Sequence, residues 1–354
     1  MKEMVFVSAQ PDDPIFSWQT ELFIENIRSL GYTNQVQVLL FSPAFRPFRN
    51  PENRFIMLQK RYEHNNVKFF WYPDTANLME YGITQSRYEP LLRPHILKRH
   101  FGLFPELKEK AIFYHDCDIL FTKYIDFSPF LNDDICYLSS TRSYLGTGYF
   151  DSKAKYVKPE LKNEYGNLDV LNTCASMAGI NSAVCHANDP GCGGAQYLLK
   201  NITSEFWEEV EISAYKIRKF LAYELGGINY QFFNSEKEGF QSWCADMWAL
   251  LWNLWKRNKK TVTPTELNFC WATDKIEKWD RCGIYHDAGV TTDNESYLFN
   301  KREPEYVYGL KLPFSGDLTH VSPAYCSSRY VDHILAVNQK YNYSTYGQKG
   351  VHQI

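Results

Sequence analysis

Residues 111 to 121 read Ala-Ile-Phe-Tyr-His-Asp-Cys-Asp-Ile-Leu-Phe. On an extended chain, residues two apart project to the same side, so the carboxylates of Asp116 and Asp118 face one way. Two oxygen donors so placed suit Mg2+ or Mn2+ when substrate phosphates supply further ligands. A D-x-D pair alone arises by chance in a chain of this size, and its placement is what gives it weight. Phe, Ile and Leu flank it on both sides, and a charged pair there is costly to bury without a counter-ion. The competing reading is a solvated strand end. A further acid, Asp246, lies in Phe-Gln-Ser-Trp-Cys-Ala-Asp-Met-Trp, on a stretch of helical spacing that is otherwise apolar. Cys185, His186 and Cys192 stand close together, but no fourth zinc ligand accompanies them, and buried structural thiols are expected instead.

The elements that must position these acids alternate from the first residue. Strands are expected at Met4 to Ala9, Val36 to Ser42, Val67 to Tyr72, Ala111 to Phe121 and Ile135 to Ser139. Helices are expected at Phe16 to Leu30, Asn50 to Glu63 and Ser86 to Phe101, the last containing Pro90 and Pro94, so that it starts near one of them or is kinked. This order implies an α/β fold: a mostly parallel, Rossmann-like sheet flanked by helices, with ligands at the carboxyl ends of its strands. Neither G-x-G-x-x-G nor G-x-x-x-x-G-K-[ST] follows the first strand, so phosphates must be held another way. Ser143 to Lys162 reads as a loop or lid rich in Gly, Tyr and Lys. Long helices are expected from Gly194 to Phe220, opening at Gly-Gly, and from Phe240 to Arg257, whose Trp stripe reads as core. One domain over residues 1–300 with an extension over 301–354 is the expected organisation.

Composition narrows the classes. The chain has 354 residues, 44% hydrophobic and 22% charged, with 24 Phe, 25 Tyr and 9 Trp, which excludes disorder and low-complexity classes. No apolar run approaches the roughly 20 residues of a membrane span, and the short apolar start is not a signal peptide, so a cytoplasmic protein is expected. Nine cysteines without a C-x-x-C pair fit reduced thiols. A net charge of −3 gives no general attraction to nucleic acid, although Arg46, Arg49, Arg54, Lys60 and Arg61 form one basic cluster and Lys256, Arg257, Lys259 and Lys260 another.

With its α/β start and D-x-D strand, the chain resembles the GT-A class of nucleotide-sugar glycosyltransferases over residues 1 to about 300. Trp-Cys-Ala-Asp-Met-Trp and Tyr-His-Asp-Ala-Gly look like segments of bacteriophage-encoded glycosyltransferases and, more distantly, of plant hydroxyproline arabinosyltransferases and serine galactosyltransferases. The resemblance implies a metal-dependent enzyme using a nucleoside-diphosphate sugar, a UDP-sugar above all, with Mn2+ or Mg2+ bound by Asp116, Asp118 and His286. An imidazole ending a short apolar stretch before Ala-Gly suits a third ligand, and a satisfied core histidine is the alternative. It further implies nucleotide and diphosphate contacts from Ser8, Ala9, Gln10, Arg87, Tyr88 and Arg93. Gly193, Gly194, Ala195 and Gln196 match a donor-sugar segment, and Lys311 is the expected partner of the leaving diphosphate. Asp246 is either a partnered structural acid or, by the resemblance, the acceptor-side residue: a base if the reaction inverts, or a flank of an oxocarbenium-like centre with Gln196 if it retains.

A phage origin would make a hydroxymethylated pyrimidine in DNA the natural acceptor, with protein or surface glycan as competitors. Neither a membrane nor an obligate protein partner is expected. A nucleotidyltransferase is the nearest enzyme alternative, but Ser8-Ala9-Gln10-Pro11-Asp12-Asp13 is no phosphate loop. A sugar-binding module would use the aromatic residues without needing an Asp pair and a histidine.

Overall fold

The computed structural model describes residues 2–43, 54–74, 88–154, 169–225, 239–289, 291 and 295–343. Strands β1 (Met4–Pro11), β2 (Gln35–Pro43), β3 (Val67–Asp74), β4 (Ala111–His115), β6 (Cys136–Ser140), β7 (Gly193–Lys200) and β8 (Thr261–Val262) form one sheet in the order β3-β2-β1-β4-β7-β6-β8. A second sheet holds β5 (Ile119–Phe121), β10 (Ile284–His286) and β9 (Phe269–Trp271), with β10 central. The main helices are α1 (Pro14–Ser29), α2 (Arg54–Tyr62), α3 (Leu92–Leu103), α4 (Ser204–Lys219), α5 (Ala245–Lys256) and α6 (Cys326–Tyr341). This is the expected α/β architecture, mostly parallel: β1 runs parallel to β2 and β6 to β8, while β7 is antiparallel to β6. Every residue of β1 is buried, as a strand covered on both faces requires.

The described residues divide into two compact units, each assembled from separated stretches: 1–4, 74–114 and 128–264 in one, 5–73, 115–127 and 265–354 in the other. Residues on both sides of position 300 therefore share a unit. The core of that second unit is aromatic. Trp18 of α1 meets Phe299, Tyr306 and Tyr330 in edge-on contacts at 6.0, 6.4 and 6.4 Å between ring centres, and Leu120, Tyr285 and Ile334 pack into the same cluster. In the other unit, Trp248, Trp252 and Trp255 of α5 are buried, whereas Trp243, just before the helix, is 54% exposed.

Several expected elements differ. The strand expected over 111 to 121 is two strands in two sheets, because the chain turns at Asp116-Cys117-Asp118 rather than carrying two charges through a buried ladder. The helix expected from Gly194 starts only at Ser204, and Gly193 to Lys200 is the fully buried strand β7. The two glycines serve close strand packing rather than a helix start: a Cβ on Gly193 would lie 2.6 Å from both Leu138 Cβ and Ser139 O. Ala195 has φ +65°, beside a register shift between Leu138 and Ser140. The expected loop after Ser143 contains short helices at Arg142–Leu145 and Thr147–Ala154, and 155–162 lie outside the described residues. Helix α3 begins at Leu92, after a short 3-10 turn at Glu89–Leu91 that takes up Pro90. No helix among the described residues is long and apolar enough to cross a membrane.

Candidate metal centre

The second sheet brings the D-x-D pair to His286. Strand β10 runs antiparallel to β5 with His286 opposite Ile119, the residue that follows Asp118. The pairing continues one step further, where Asp287 N donates to Asp118 O at 2.9 Å. Helix α1 holds the outer side of β5. The Asn26 amide donates to Phe121 O at 3.0 Å and its oxygen accepts from Phe121 N at 2.8 Å, so an edge strand keeps its backbone partners. Between the acids, Cys117 points inward and its thiol donates to Gln19 Oε1 of α1 at 3.4 Å.

Asp116, Asp118 and His286 each offer a ligand atom, all within 4.8 Å of one another, the only such group of three His, Cys, Asp or Glu found among the described residues. His286 Nε2 lies 3.6 Å from Asp116 Oδ2 and 3.4 Å from Asp118 Oδ1. Two hard carboxylates and one borderline imidazole form a mixed donor set that can accept Mn2+ or Mg2+ and leaves positions for substrate oxygens. Cys185, His186 and Cys192 form no comparable group, and Cys185 and Cys192 are buried thiols that burial pushes up to about 12.

Sequence reasoning missed Lys301. Its buried ammonium donates to Asp118 Oδ2 and to the Asp287 carbonyl. Burial opposes ionisation of Asp118, but Lys301 and then His286 outweigh it and hold the carboxyl well below the usual range. Burial also pushes the fully buried Asp287 up, to about 6; Lys301 opposes that rise and the charge of Asp118 adds to it. The adjoining His115 is buried and held down to about 4 by burial. Lys311, the lysine expected at the diphosphate, is exposed and pairs with Glu305 at 3.7 Å.

Ser8, Ala9 and Gln10 are buried in the carboxyl half of β1. The Gln10 amide donates to Thr20 Oγ1 at 2.9 Å, while its Oε1 is buried without a hydrogen-bond partner. The remaining expected residues belong to the other unit, where three of them meet. Tyr88 Oη donates to Trp243 O at 2.7 Å, accepts from Asp246 N at 3.1 Å and lies 3.2 Å from Asp246 Oδ1. Arg93 Nη1 is 3.9 Å from Asp246 Oδ2. Asp246 therefore sits in the first turn of α5, where an acid complements the helix dipole, with an arginine and a phenol beside it. A Cβ on Gly194 would come within 2.8 Å of Met247 Cε, so β7 passes close to that turn. Gln196 is fully buried on β7, and Arg87 lies outside the described residues.

Several described residues of the two basic clusters have acidic partners. Arg54 and Arg61 bind the buried Glu21 and stack on Tyr343 at 5.2 and 5.5 Å. Lys256 and Arg257 pair with Glu209 at 3.4 and 3.2 Å, and Lys259 with Asp134 at 2.7 Å. Arg46 and Arg49 lie outside the described residues.

No family model matches the chain, and no curated protein matches it. Among solved structures it is similar to WbbM, a bifunctional glycosyltransferase, with 8% identity and a TM-score of 0.47; the match covers 97% of this chain, which spans about half (52%) of WbbM's length. It is also similar to the galactosyltransferase LgtC in complex with donor and acceptor sugar analogs, with 10% identity and a TM-score of 0.41 over 94% of this chain and 96% of that one. An active-site mutant of LgtC gives 11% identity and a TM-score of 0.43 over 93% and 95%.

Proposed function

We propose that the chain is a metal-dependent glycosyltransferase of the GT-A class, which moves a sugar from a nucleoside-diphosphate donor, a UDP-sugar first among them, to an acceptor hydroxyl. The observation that carries this reading is the convergence of Asp116, Asp118 and His286. In it these three residues hold Mn2+ or Mg2+, which when bound offsets the charge of the departing diphosphate. Ser8, Ala9 and Gln10 receive the nucleotide, and the buried, unpartnered Gln10 Oε1 supports a polar ligand there. Arg87, Tyr88 and Arg93 belong to the nucleotide side by resemblance, but Tyr88 and Arg93 touch Asp246 and are read here as holding that carboxylate in place. Asp246 takes the proton of the acceptor hydroxyl if the reaction inverts. Gly193, Gly194, Ala195 and Gln196 face the donor sugar in this reading, and Lys311 stands by the leaving diphosphate.

The acceptor is a hydroxyl on DNA, protein or glycan. A hydroxymethylated pyrimidine in DNA would place the enzyme in an infected host's cytoplasm, but Arg54, Arg61, Lys256, Arg257 and Lys259 already pair with acids, which weighs against strong phosphate binding by these five. The test is incubation with a panel of nucleotide sugars and Mn2+, following release of nucleoside diphosphate, with hydroxymethylated DNA, peptide and glycan acceptors in parallel. Metal-dependent release that Asp116→Asn removes supports the reading. Release of pyrophosphate from a nucleoside triphosphate would point to a nucleotidyltransferase, and sugar binding without turnover to a binding module.

A further inference from the structure

The two oxygens of Asp118 have different partners. Oδ1 lies 3.4 Å from His286 Nε2, on the side where the three candidate ligands converge, while Oδ2 is taken by the ammonium of Lys301. That ammonium is anchored a second time by the Asp287 carbonyl, and the Asp287 amide donates to the Asp118 carbonyl at 2.9 Å. The carboxylate is therefore held at one oxygen by a buried, doubly bound cation, and rotation to offer both oxygens to one ion would break that contact.

We infer that Lys301 is a positioning residue that sets metal selectivity: it confines Asp118 to one-oxygen ligation and so favours Mn2+ and Mg2+ over Ca2+. The inference rests on the metal-dependent reading proposed above. Ca2+ takes six to eight oxygens and commonly uses both oxygens of a carboxylate, whereas Mg2+ demands a near-octahedral shell with single-oxygen ligands. Loss of the lysine charge would draw every divalent ion more strongly. The ratio of Ca2+ to Mn2+ affinity isolates the coordination effect from that general gain.

The experiment is a titration of the full chain with Mn2+, read by loss of the free-ion electron paramagnetic resonance signal, followed by displacement with Ca2+. In the unsubstituted protein Ca2+ displaces Mn2+ only in large excess. In Lys301→Gln the Ca2+ to Mn2+ affinity ratio rises about tenfold, a difference of about 1.4 kcal/mol, while Lys301→Arg, which keeps the charge and the donors, stays near the original ratio. An unchanged ratio in a folded Lys301→Gln protein overturns the inference. So does displacement of Mn2+ from the unsubstituted protein by an equal concentration of Ca2+, which requires no variant to fold. If the unsubstituted protein binds no Mn2+ at all, the metal-dependent reading itself fails, and the selectivity inference with it.

Discussion

The indole of Trp271 stacks on the imidazole of His286, their ring centres 5.3 Å apart and their planes 29° from parallel. The pairing follows from strand register, since β9 runs parallel to β10 with Trp271 directly opposite His286. Such a wall fixes the imidazole plane, and support around a metal ligand commonly accounts for about ten- to hundredfold in affinity. Trp271→Ala is expected to weaken Mn2+ binding by about tenfold with the fold retained, as measured by Mn2+ titration alongside circular dichroism.

The two acids of the D-x-D should behave differently. Asp116 has a side chain 25% exposed, so Asp116→Asn should leave stability nearly unchanged while reducing metal-dependent turnover by about a hundredfold or more. Asp118→Asn removes the counter-ion of buried Lys301 and should cost about 3 kcal/mol of stability as well as turnover, since a buried pair broken on one side leaves an uncompensated charge. Urea unfolding of both variants separates the two cases. Equal stabilities would mean that the Lys301 contact contributes little.

Asp246→Asn is expected to lower transfer to the acceptor by about a hundredfold with little change in donor affinity, because loss of a general base acts on the chemical step. Steady-state kinetics with donor binding measured by calorimetry gives the comparison. Loss of donor binding or of folding would assign Asp246 to structure, with Tyr88 and Arg93 as its partners.

Acid should destabilise the chain partly through His100, which is fully buried on α3 with its ring centre 4.8 Å from that of Phe104. Burial holds its imidazole down to about 4. Between that value and the unfolded value near 6.5, the unfolded chain binds the proton and the folded chain does not. The stability contributed by the neutral ring is thus complete above about pH 6.5 and declines as pH falls towards 4, by up to about 3 kcal/mol. His100→Phe cannot take up that proton, so its loss of stability from pH 7 to 4.5 should be smaller than in the unsubstituted protein; parallel curves in urea melts would count against this account.

The sequence foretold the parts of the fold that rest on local pattern. An apolar run such as Val5-Phe6-Val7 needs no tertiary information to be read as a strand, and β1, β2 and α1 fall within two residues of their expected ends. The spacing of Asp116 and Asp118 made them candidates, whereas His286 became one through the resemblance of Tyr-His-Asp-Ala-Gly to a glycosyltransferase segment. Lys301 gave no such signal, because no motif or periodicity links it to His286 and it meets Asp118 only through tertiary packing. The strand at Gly193 was mistaken for a helix start because Gly-Gly serves both uses, and the deciding fact, the approach of Leu138 and Ser139, lies more than fifty residues away in sequence.

Discontinuity of the second unit has a consequence during synthesis. Asp116 and Asp118 leave the ribosome well before β9, β10 and Lys301, which belong to the stretch 265–354. Until that stretch arrives, the acids have neither the imidazole nor the ammonium that offsets their charge, and the strand that would pair with β5 does not yet exist. A nascent chain therefore cannot close this half of the protein early, and assembly of the centre waits on long-range closure, the slow class of folding step. Stalled or truncated products ending before Phe269 would keep β5 without its ladder partner, exposing an apolar edge to other chains and to quality-control proteases.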